Sequence, residues 1–136
     1  MKSKLFHELS TNELYEILKA RAEIFIVEQN CVYQDLDGKD INSLHVFHEE
    51  NGKVTAYLRA FMKGDETVQM GRVLTLNHGT GLGGRLLKEG IEEIREKLHP
   101  KRIYIESQCH AIGFYEREGF ASLPTNSLKT GFRMSG

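Results

Sequence analysis

Residues 71–87 read Gly71-Arg-Val-Leu-Thr-Leu-Asn-His-Gly-Thr-Gly-Leu-Gly-Gly-Arg-Leu-Leu87. The β-branched and apolar residues at the start of this stretch predict the end of a buried strand. Four glycines follow within six positions, namely Gly79, Gly81, Gly83 and Gly84. A helical pattern then begins at Leu86. Because unpaired amides and the helix dipole favour an anion at a helix N-terminus, and glycine lets the main chain approach closely, the stretch predicts an anion-binding loop.

The composition is that of an ordinary globular chain. Its 136 residues predict one domain over residues 1–136. The net charge of −1 gives no basic field for nucleic acid or for an anionic membrane. No apolar run approaches the ~20 residues of a membrane span, and residues 1–5 do not form an apolar signal segment. We therefore expect a cytoplasmic protein that binds neither nucleic acid nor membrane.

Hydrophobic periodicity predicts an α/β chain in the order β-α-β-β-β-α-β-α-β-β. The predicted strands are 4–9, 44–49, 54–62, 67–76, 102–107, 120–123 and 129–134. The predicted helices start at Ser10, at Leu86 and at Ala111. Ser10 and Glu13 have capping-box spacing. The long crossover between residues 76 and 102 predicts that the strands it joins are parallel neighbours.

Several kinds of glycine loop could fit this context. A Walker loop is excluded because Gly84 is followed by Arg85 and not by Lys. The dinucleotide fingerprint is met by Gly79, Gly81 and Gly84, with Glu106 as the ribose acid. An NAD-type domain is therefore an alternative, although the 30 residues after Glu106 are too few for a doubly wound sheet. A helix entry without a ligand is a second alternative, disfavoured by the entropic cost of four glycines.

The frame His78-Gly79-Thr80-Gly81-Leu82-Gly83 resembles the acyl-CoA motif of the GCN5-related N-acetyltransferases (GNAT), with His78 in place of the usual Gln or Arg. Residues 111–120, which contain Phe114-Tyr115 and Gly119-Phe120, resemble that family's second motif. Residues 21–40, His45, Gly71-Arg72-Val73 and Gln108-x-His110 resemble its ElaA-like branch. The resemblance implies a mixed central sheet with an antiparallel N-terminal meander, a parallel and splayed pair of fourth and fifth strands, and flanking helices.

The resemblance also implies an acetyl-CoA-dependent N-acetyltransferase in which a primary amine attacks the acetyl carbon directly in a ternary complex. The main chain of the fourth strand would pair with the pantetheine arm, and the glycine loop would hold the pyrophosphate. The implied cofactor-binding residues are Val73, Leu74, Thr75, His78, Gly79, Thr80, Gly81, Leu82, Gly83 and Gly84. A non-catalytic protein that binds or senses acyl-CoA is the alternative from another functional class.

Catalysis by such a protein requires a neutral amine and a stabilised leaving group. An alkylammonium with a pKa of ~10.4 needs ~4.6 kcal/mol to lose its proton at pH 7, so desolvation or a base must contribute. Glu28 or Glu106 is the candidate base. By resemblance, Tyr115 donates a hydrogen bond or a proton to the leaving thiolate. The alternative for Tyr115 is a core aromatic residue.

The acceptor is a small-molecule or peptide amine that the sequence does not identify. Its candidate contacts are Glu28, Gln29, His45, Arg72, Gln108 and His110. Five of these have competing structural interpretations. Glu28 and Gln29 could be a solvated helix terminus, and Arg72 could pair with a neighbouring carboxylate. His45 and His110 could relay protons or be structural hydrogen-bonding residues. The resemblance leaves a homodimer open, since dimers are common in this superfamily.

Three aspartates, Asp35, Asp37 and Asp40, are spaced somewhat like a calcium loop. Glycine comes fourth and not sixth, however, and the twelfth position is Val46 and not Glu. We interpret the three as turn and capping carboxylates and predict no metal site.

Overall fold

The structure is a computed structural model that describes residues 1–24, 35–64, 66–76, 81–107, 121–123 and 130–135. Its strands are β1 (Lys2–Leu5), β2 (Leu44–Glu50), β3 (Lys53–Gly64), β4 (Thr67–Thr75), β5 (Arg102–Ser107), β6 (Ala121–Leu123) and β7 (Thr130–Ser135). Its α-helices are α1 (Thr11–Arg21) and α2 (Leu82–Leu98). The helix predicted from Ala111 lies outside the described residues. Across the parts of the chain that the structure describes, no helix is long and apolar enough to cross a membrane.

All seven strands belong to one sheet with the order β1-β2-β3-β4-β5-β7-β6. Strands β1 to β4 form the predicted antiparallel meander. Strands β4 and β5 are parallel, which confirms the prediction from the long crossover. Every other described strand pair is antiparallel, unlike the parallel order of a doubly wound dinucleotide domain.

The two helices pack on opposite faces of the sheet. Helix α2 buries Leu86, Leu87 and Ile94 against one face, and α1 buries Ile17 and Ala20 against the other. Strand β3 lies between both helices, so its side chains are buried from 54 to 60 without the alternation of a half-exposed strand.

The starts of the helices differ in how well the sequence predicts them. Ser10 caps α1 as predicted: its side chain accepts from the Glu13 N–H, and the Glu13 carboxylate accepts from the Ser10 N–H. Helix α2 begins at Leu82, four residues before the predicted start. Leu82 is buried in the core, and the Arg85 N–H donates to the Gly81 carbonyl, which closes a helical turn across the glycines.

The first predicted strand, 4–9, is wrong in its bounds. Strand β1 ends at Leu5, and Phe6–Glu8 form a short 3-10 turn. The Leu5 N–H donates to the Glu8 carboxylate over 2.8 Å. This local side-chain hydrogen bond competes with the sheet and turns the chain toward Ser10.

Candidate functional site

Strand β4 contains a bulge at Arg72. Gly71 opposes Arg59 of β3 and Leu74 opposes Tyr57, so three steps along β4 match two along β3. Arg72 has a φ of 55°, in the left-handed region. A bulge of this kind bends a strand and increases its local twist.

Strand β4 leaves β5 just before this bulge. Their parallel pairing runs from Thr67 opposite Arg102 to Met70 opposite Ile105. Both strands continue beyond that point, β4 to Thr75 and β5 to Ser107. In the described part of the chain, the end of β4 therefore pairs with β3 on one side and has no β5 partner on the other. This is the splayed strand pair that the family resemblance implies.

The entry of α2 has the geometry of an anion-binding helix start. Gly81 is the N-cap, with a φ of 78° and no side-chain cap. Among the described residues, a Cβ at Gly81 would meet no heavy atom within 4 Å, which leaves room for a group to approach the main chain on that side. The first N–H groups of a helix have no partner within the helix, so the amides after Gly81 can donate hydrogen bonds to an anion.

A groove of about 640 Å³ runs from this entry along the outer face of α2. Its described lining residues are Gly81, Gly84, Arg85, Lys88, Ile91, Glu92 and Arg95. Three of the side chains are cationic and one is anionic. Arg85 also pairs with Glu89 over 3.2 Å. Arg85 and Lys88 lie within the first two turns of α2, whereas Arg95 lies in its last turn. The cations near the helix N-terminus favour an anionic ligand such as a phosphate group.

A closed ring of alternating charges lies beside the β4 bulge. This arginine–aspartate ring runs through Arg21, Asp40, Arg59, Asp37 and Arg72 to Asp35, which returns to Arg21. Asp40 Oδ1 accepts from Arg21 Nη1 over 2.8 Å and from Arg59 Nη1 over 3.0 Å. Burial alone would raise the pKa of Asp40, but the hydrogen bonds and charges of these two arginines hold it below its ordinary value.

The other half of the ring reaches the bulge. Asp37 is bidentate to Arg59, with oxygen–nitrogen distances of 2.8 and 2.6 Å. Arg72 Nε donates to Asp35 Oδ1 over 2.8 Å, and Arg72 Nη2 donates to the Asp35 carbonyl over 2.9 Å. The interpretation of these aspartates as turn and capping groups is thus wrong for their main partners. Among the described residues, it is confirmed for Asp37, which accepts a hydrogen bond from the Lys39 N–H over 3.0 Å.

His45 is fully buried next to the ring. Its Nε2 lies 2.9 Å from the Asp40 carbonyl oxygen and its Nδ1 lies 2.6 Å from Tyr57 Oη. Because a carbonyl only accepts, we assign the proton to Nε2, and Nδ1 then accepts from the tyrosine hydroxyl. Burial lowers the pKa of His45, with the charges of Arg21 and Arg59 acting in the same direction, which favours this neutral form. Both ring nitrogens of His45 thus have hydrogen-bond partners, in agreement with its interpretation as a structural hydrogen-bonding residue.

The structure places only some of the predicted site residues. Val73, Leu74 and Thr75 lie on β4 beyond its last pair with β5, and Gly81, Leu82, Gly83 and Gly84 form the entry of α2. The main chain of Glu106 lies one residue past Ile105. Arg72 forms an ion pair with Asp35, in agreement with the alternative interpretation that Arg72 pairs with a neighbouring carboxylate. Outside the described residues lie Glu28, Gln29, His78, Gly79, Thr80, Gln108, His110 and Tyr115.

Sequence reasoning did not identify Arg21 and Arg59 as part of this region. A signal was present for each. Arg59 interrupts the apolar run of β3, and Arg21 continues the buried face of α1 one turn after Ile17. Their side chains are 0% and 3% exposed, and a cation at such a position requires a buried anionic partner. In the described ranges, no group of three or more His, Cys, Asp or Glu residues is arranged to hold a metal ion.

Comparisons with known proteins agree with this geometry. A family model described as an acetyltransferase (GNAT) domain matches residues 10–135. Protein ElaA of Escherichia coli is 35% identical over 119 residues, 83% of this chain and 78% of that protein. The crystal structure of E. coli ElaA has a TM-score of 0.83 and 30% identity, covering 97% of this chain and 96% of that one. The crystal structure of an acyl-CoA N-acyltransferase from Pseudomonas aeruginosa has a TM-score of 0.87 and 30% identity, covering 98% of this chain and 97% of that one.

Proposed function

Because this chain belongs to the GNAT acetyltransferase family of acyl-CoA-dependent N-acyltransferases, we propose that its donor is acetyl-CoA and its acceptor a primary amine. The amine attacks the acetyl carbon directly in a ternary complex. The acceptor is a small molecule or a peptide. The protein acts in the cytoplasm, and pairing of two copies remains a prediction.

The observation that carries the proposal is the departure of β4 from β5 after Met70 and Ile105. An unpaired strand edge can form hydrogen bonds with the two amides of a pantetheine arm. The glycine entry of α2 then suits the pyrophosphate, and Arg85 and Lys88, within the first two turns of the helix, suit the further phosphate of coenzyme A. The described residues therefore fit the extended, amide-rich and multiply charged donor.

The donor supplies an activated acyl group as a thioester, and the protein must position and neutralise the amine. Glu106 is favoured over Glu28 as the base, because its main chain lies one residue past the last β4–β5 pair, where the gap between the strands opens. Tyr115 stabilises the departing thiolate by a hydrogen bond. Full transfer of the phenolic proton would be uphill by ~2 kcal/mol, since a phenol at ~10 is a weaker acid than a thiol at ~8.5.

Calorimetric titration with acetyl-CoA, with NADH as the control ligand, tests the donor. We expect saturable binding of acetyl-CoA and none of NADH. Gly81→Trp should abolish binding, and Gly81→Ala, which shares the backbone strain at a φ of 78° without the bulk, should retain more of it. Binding of NADH alone would contradict the proposal.

A matched pair of charge reversals tests the groove. Lys88→Glu should weaken acetyl-CoA binding about tenfold, because it reverses a charge beside the phosphates. Lys53→Glu makes the same change in net charge at the exposed start of β3 and should leave the affinity within twofold. Equal effects of the two variants would mean that the groove does not bind the donor.

A further inference from the structure

We propose that Asp35, supported by Asp37, is a positioning residue. By binding the Arg72 guanidinium, an arrangement called the clamp below, it maintains the β4 bulge and so keeps the end of β4 separate from β5. The role assigned to this opening, reception of the acyl-CoA, rests on the proposed function above. The clamp itself follows from the conformation of Arg72 and from its partners.

Arg72 has a backbone conformation that a side chain disfavours. Its φ of 55° puts the residue in the left-handed region in the middle of a strand. Only glycine adopts this region without steric penalty, and asparagine or aspartate tolerate it better than arginine does. Gly71, one residue earlier, would meet that demand at no steric cost, yet the positive φ falls on Arg72. Contacts of the Arg72 side chain must therefore compensate for the strain.

The described contacts that do so converge on one short segment, residues 35–37. The Arg72 guanidinium donates to Asp35 Oδ1 over 2.8 Å and to the Asp35 carbonyl over 2.9 Å, and it lies 3.5 Å from Asp37 Oδ2. The clamp is itself fixed at two points. Arg21 Nε donates to Asp35 Oδ2, and Arg59 holds Asp37 by a bidentate pair. Both anchoring arginines are buried, so the segment that receives Arg72 is tied to α1 and β3.

The bulge lies where the opening begins. Met70 makes the last described pair with β5, and Arg72 follows two residues later. If Arg72 relaxed to an extended conformation, the bulge would disappear and β4 would straighten. Its next residues would then continue the parallel ladder with Glu106 and Ser107. The clamp thus prevents β5 from pairing with the strand edge that the pantetheine arm requires.

Comparison of two substitutions at Arg72 tests the clamp. Arg72→Ala removes the guanidinium and keeps a Cβ, so the strained bulge should relax. Arg72→Gly also removes the guanidinium, but glycine keeps the left-handed conformation without a clamp. We expect acetyl-CoA binding by calorimetry to weaken at least tenfold in Arg72→Ala and less than threefold in Arg72→Gly. Equal losses would overturn the proposal and would instead indicate a direct contact of Arg72 with a ligand.

Two aspartate variants separate positioning from stability. Asp35→Asn weakens the clamp, whereas Asp40→Asn disturbs the same ring between Arg21 and Arg59 without touching Arg72. Asp35→Asn should weaken acetyl-CoA binding at least fivefold, and adding Arg72→Gly to it should restore the affinity. Asp40→Asn should lower the midpoint of urea unfolding at least as much as Asp35→Asn does. It should nevertheless leave the affinity for acetyl-CoA within twofold of the wild type. Parallel losses of stability and affinity in both variants would show that the ring is only structural.

Hydrogen exchange gives a readout that needs no ligand. Amides of residues 73–75 should be better protected in Arg72→Ala than in the wild type, because new pairing with β5 closes the edge. Arg72→Gly should leave their exchange close to that of the wild type. Unchanged exchange in Arg72→Ala would overturn the clamp, whether or not acetyl-CoA is the donor. A protein that shows the exchange change but does not bind acetyl-CoA would retain the clamp and lose the proposed donor.

Discussion

Gly90 of α2 lies against Leu58 of β3 so closely that a Cβ at position 90 would be 2.7 Å from Leu58 Cδ2. Leu58 is fully buried, so its side chain has little room to move away. This contact seats the middle of α2 on the sheet. The N-terminus of the same helix forms the glycine entry, and the packing at Gly90 thereby helps to set where that entry lies.

Gly90→Ala is expected to destabilise the protein by about 1 kcal/mol. Alanine improves helix propensity by about 1 kcal/mol, but overpacking a full core costs about 1–3 kcal/mol. In a Leu58→Ala background the same change should become stabilising, because the added methyl group enters the space that leucine leaves. Urea unfolding of the four proteins in a double-mutant cycle measures this coupling. Additive effects would mean that the helix shifts freely on the sheet.

Asp40→Asn should lower the free energy of unfolding by about 3 kcal/mol, because it leaves two buried arginines without their shared carboxylate. Glu66→Gln is the matched control. It removes the charge of an ion pair with Lys101 whose side chains are 62% and 70% exposed, and it should change stability by less than about 0.5 kcal/mol. Chemical denaturation of both variants at neutral pH checks the difference. Similar small effects in both would place the arginine–aspartate ring among energetically neutral contacts.

Ionisation of Glu13 should make the free energy of unfolding depend on pH in the acidic range. The backbone N–H of Ser10, followed by the ammonium groups of Lys4 and Lys2, lowers the pKa of Glu13 from 4.5 to about 2 in the folded protein. The unfolded chain binds this proton at a higher pH, so the contribution is complete above pH 4.5 and is lost as the pH falls toward 2. Glu13→Gln keeps the hydrogen bond to Ser10 and removes the charge. The wild type should exceed it by about 1–2 kcal/mol at pH 7, with the gap closing below pH 4. A gap that is independent of pH would contradict the assignment.

Tyr115→Phe distinguishes an enzyme from a protein that only binds acyl-CoA. Loss of the hydroxyl removes a hydrogen bond to the leaving thiolate, so kcat should fall at least tenfold for an amine found by screening. Acetyl-CoA binding should stay unchanged, because the substitution removes only the hydroxyl and keeps the ring. An unchanged kcat would remove Tyr115 from catalysis. Failure of the wild type to acetylate any amine in a broad screen would favour the binding or sensing alternative.

In the candidate site, the sequence predicts the main-chain features and not the ionic contacts. The glycines at 81, 83 and 84 mark the helix entry because glycine has a local conformational signature. The start of α2 at Leu82 was missed because glycine disfavours helices intrinsically, and burial of Leu82 and the helical hydrogen bond to Gly81 override that preference. The partners of the three aspartates were missed because Arg72 lies 37 positions from Asp35, and no local pattern reports such a pair.

The sequence by itself determined the order of the described strands and α-helices, the antiparallel meander and the parallel crossover. These depend on local periodicity, on turn and capping residues, and on the handedness of connections, all of which are short-range properties of the chain. Only the tertiary structure decided that Arg21, Arg59 and Arg72 close a ring with three aspartates, that Arg72 takes the strained position of the bulge, and that β4 and β5 separate after Met70. An unpaired charge is costly to bury, so each of those charged groups requires a partner of opposite charge, and the fold determines which partner is within reach.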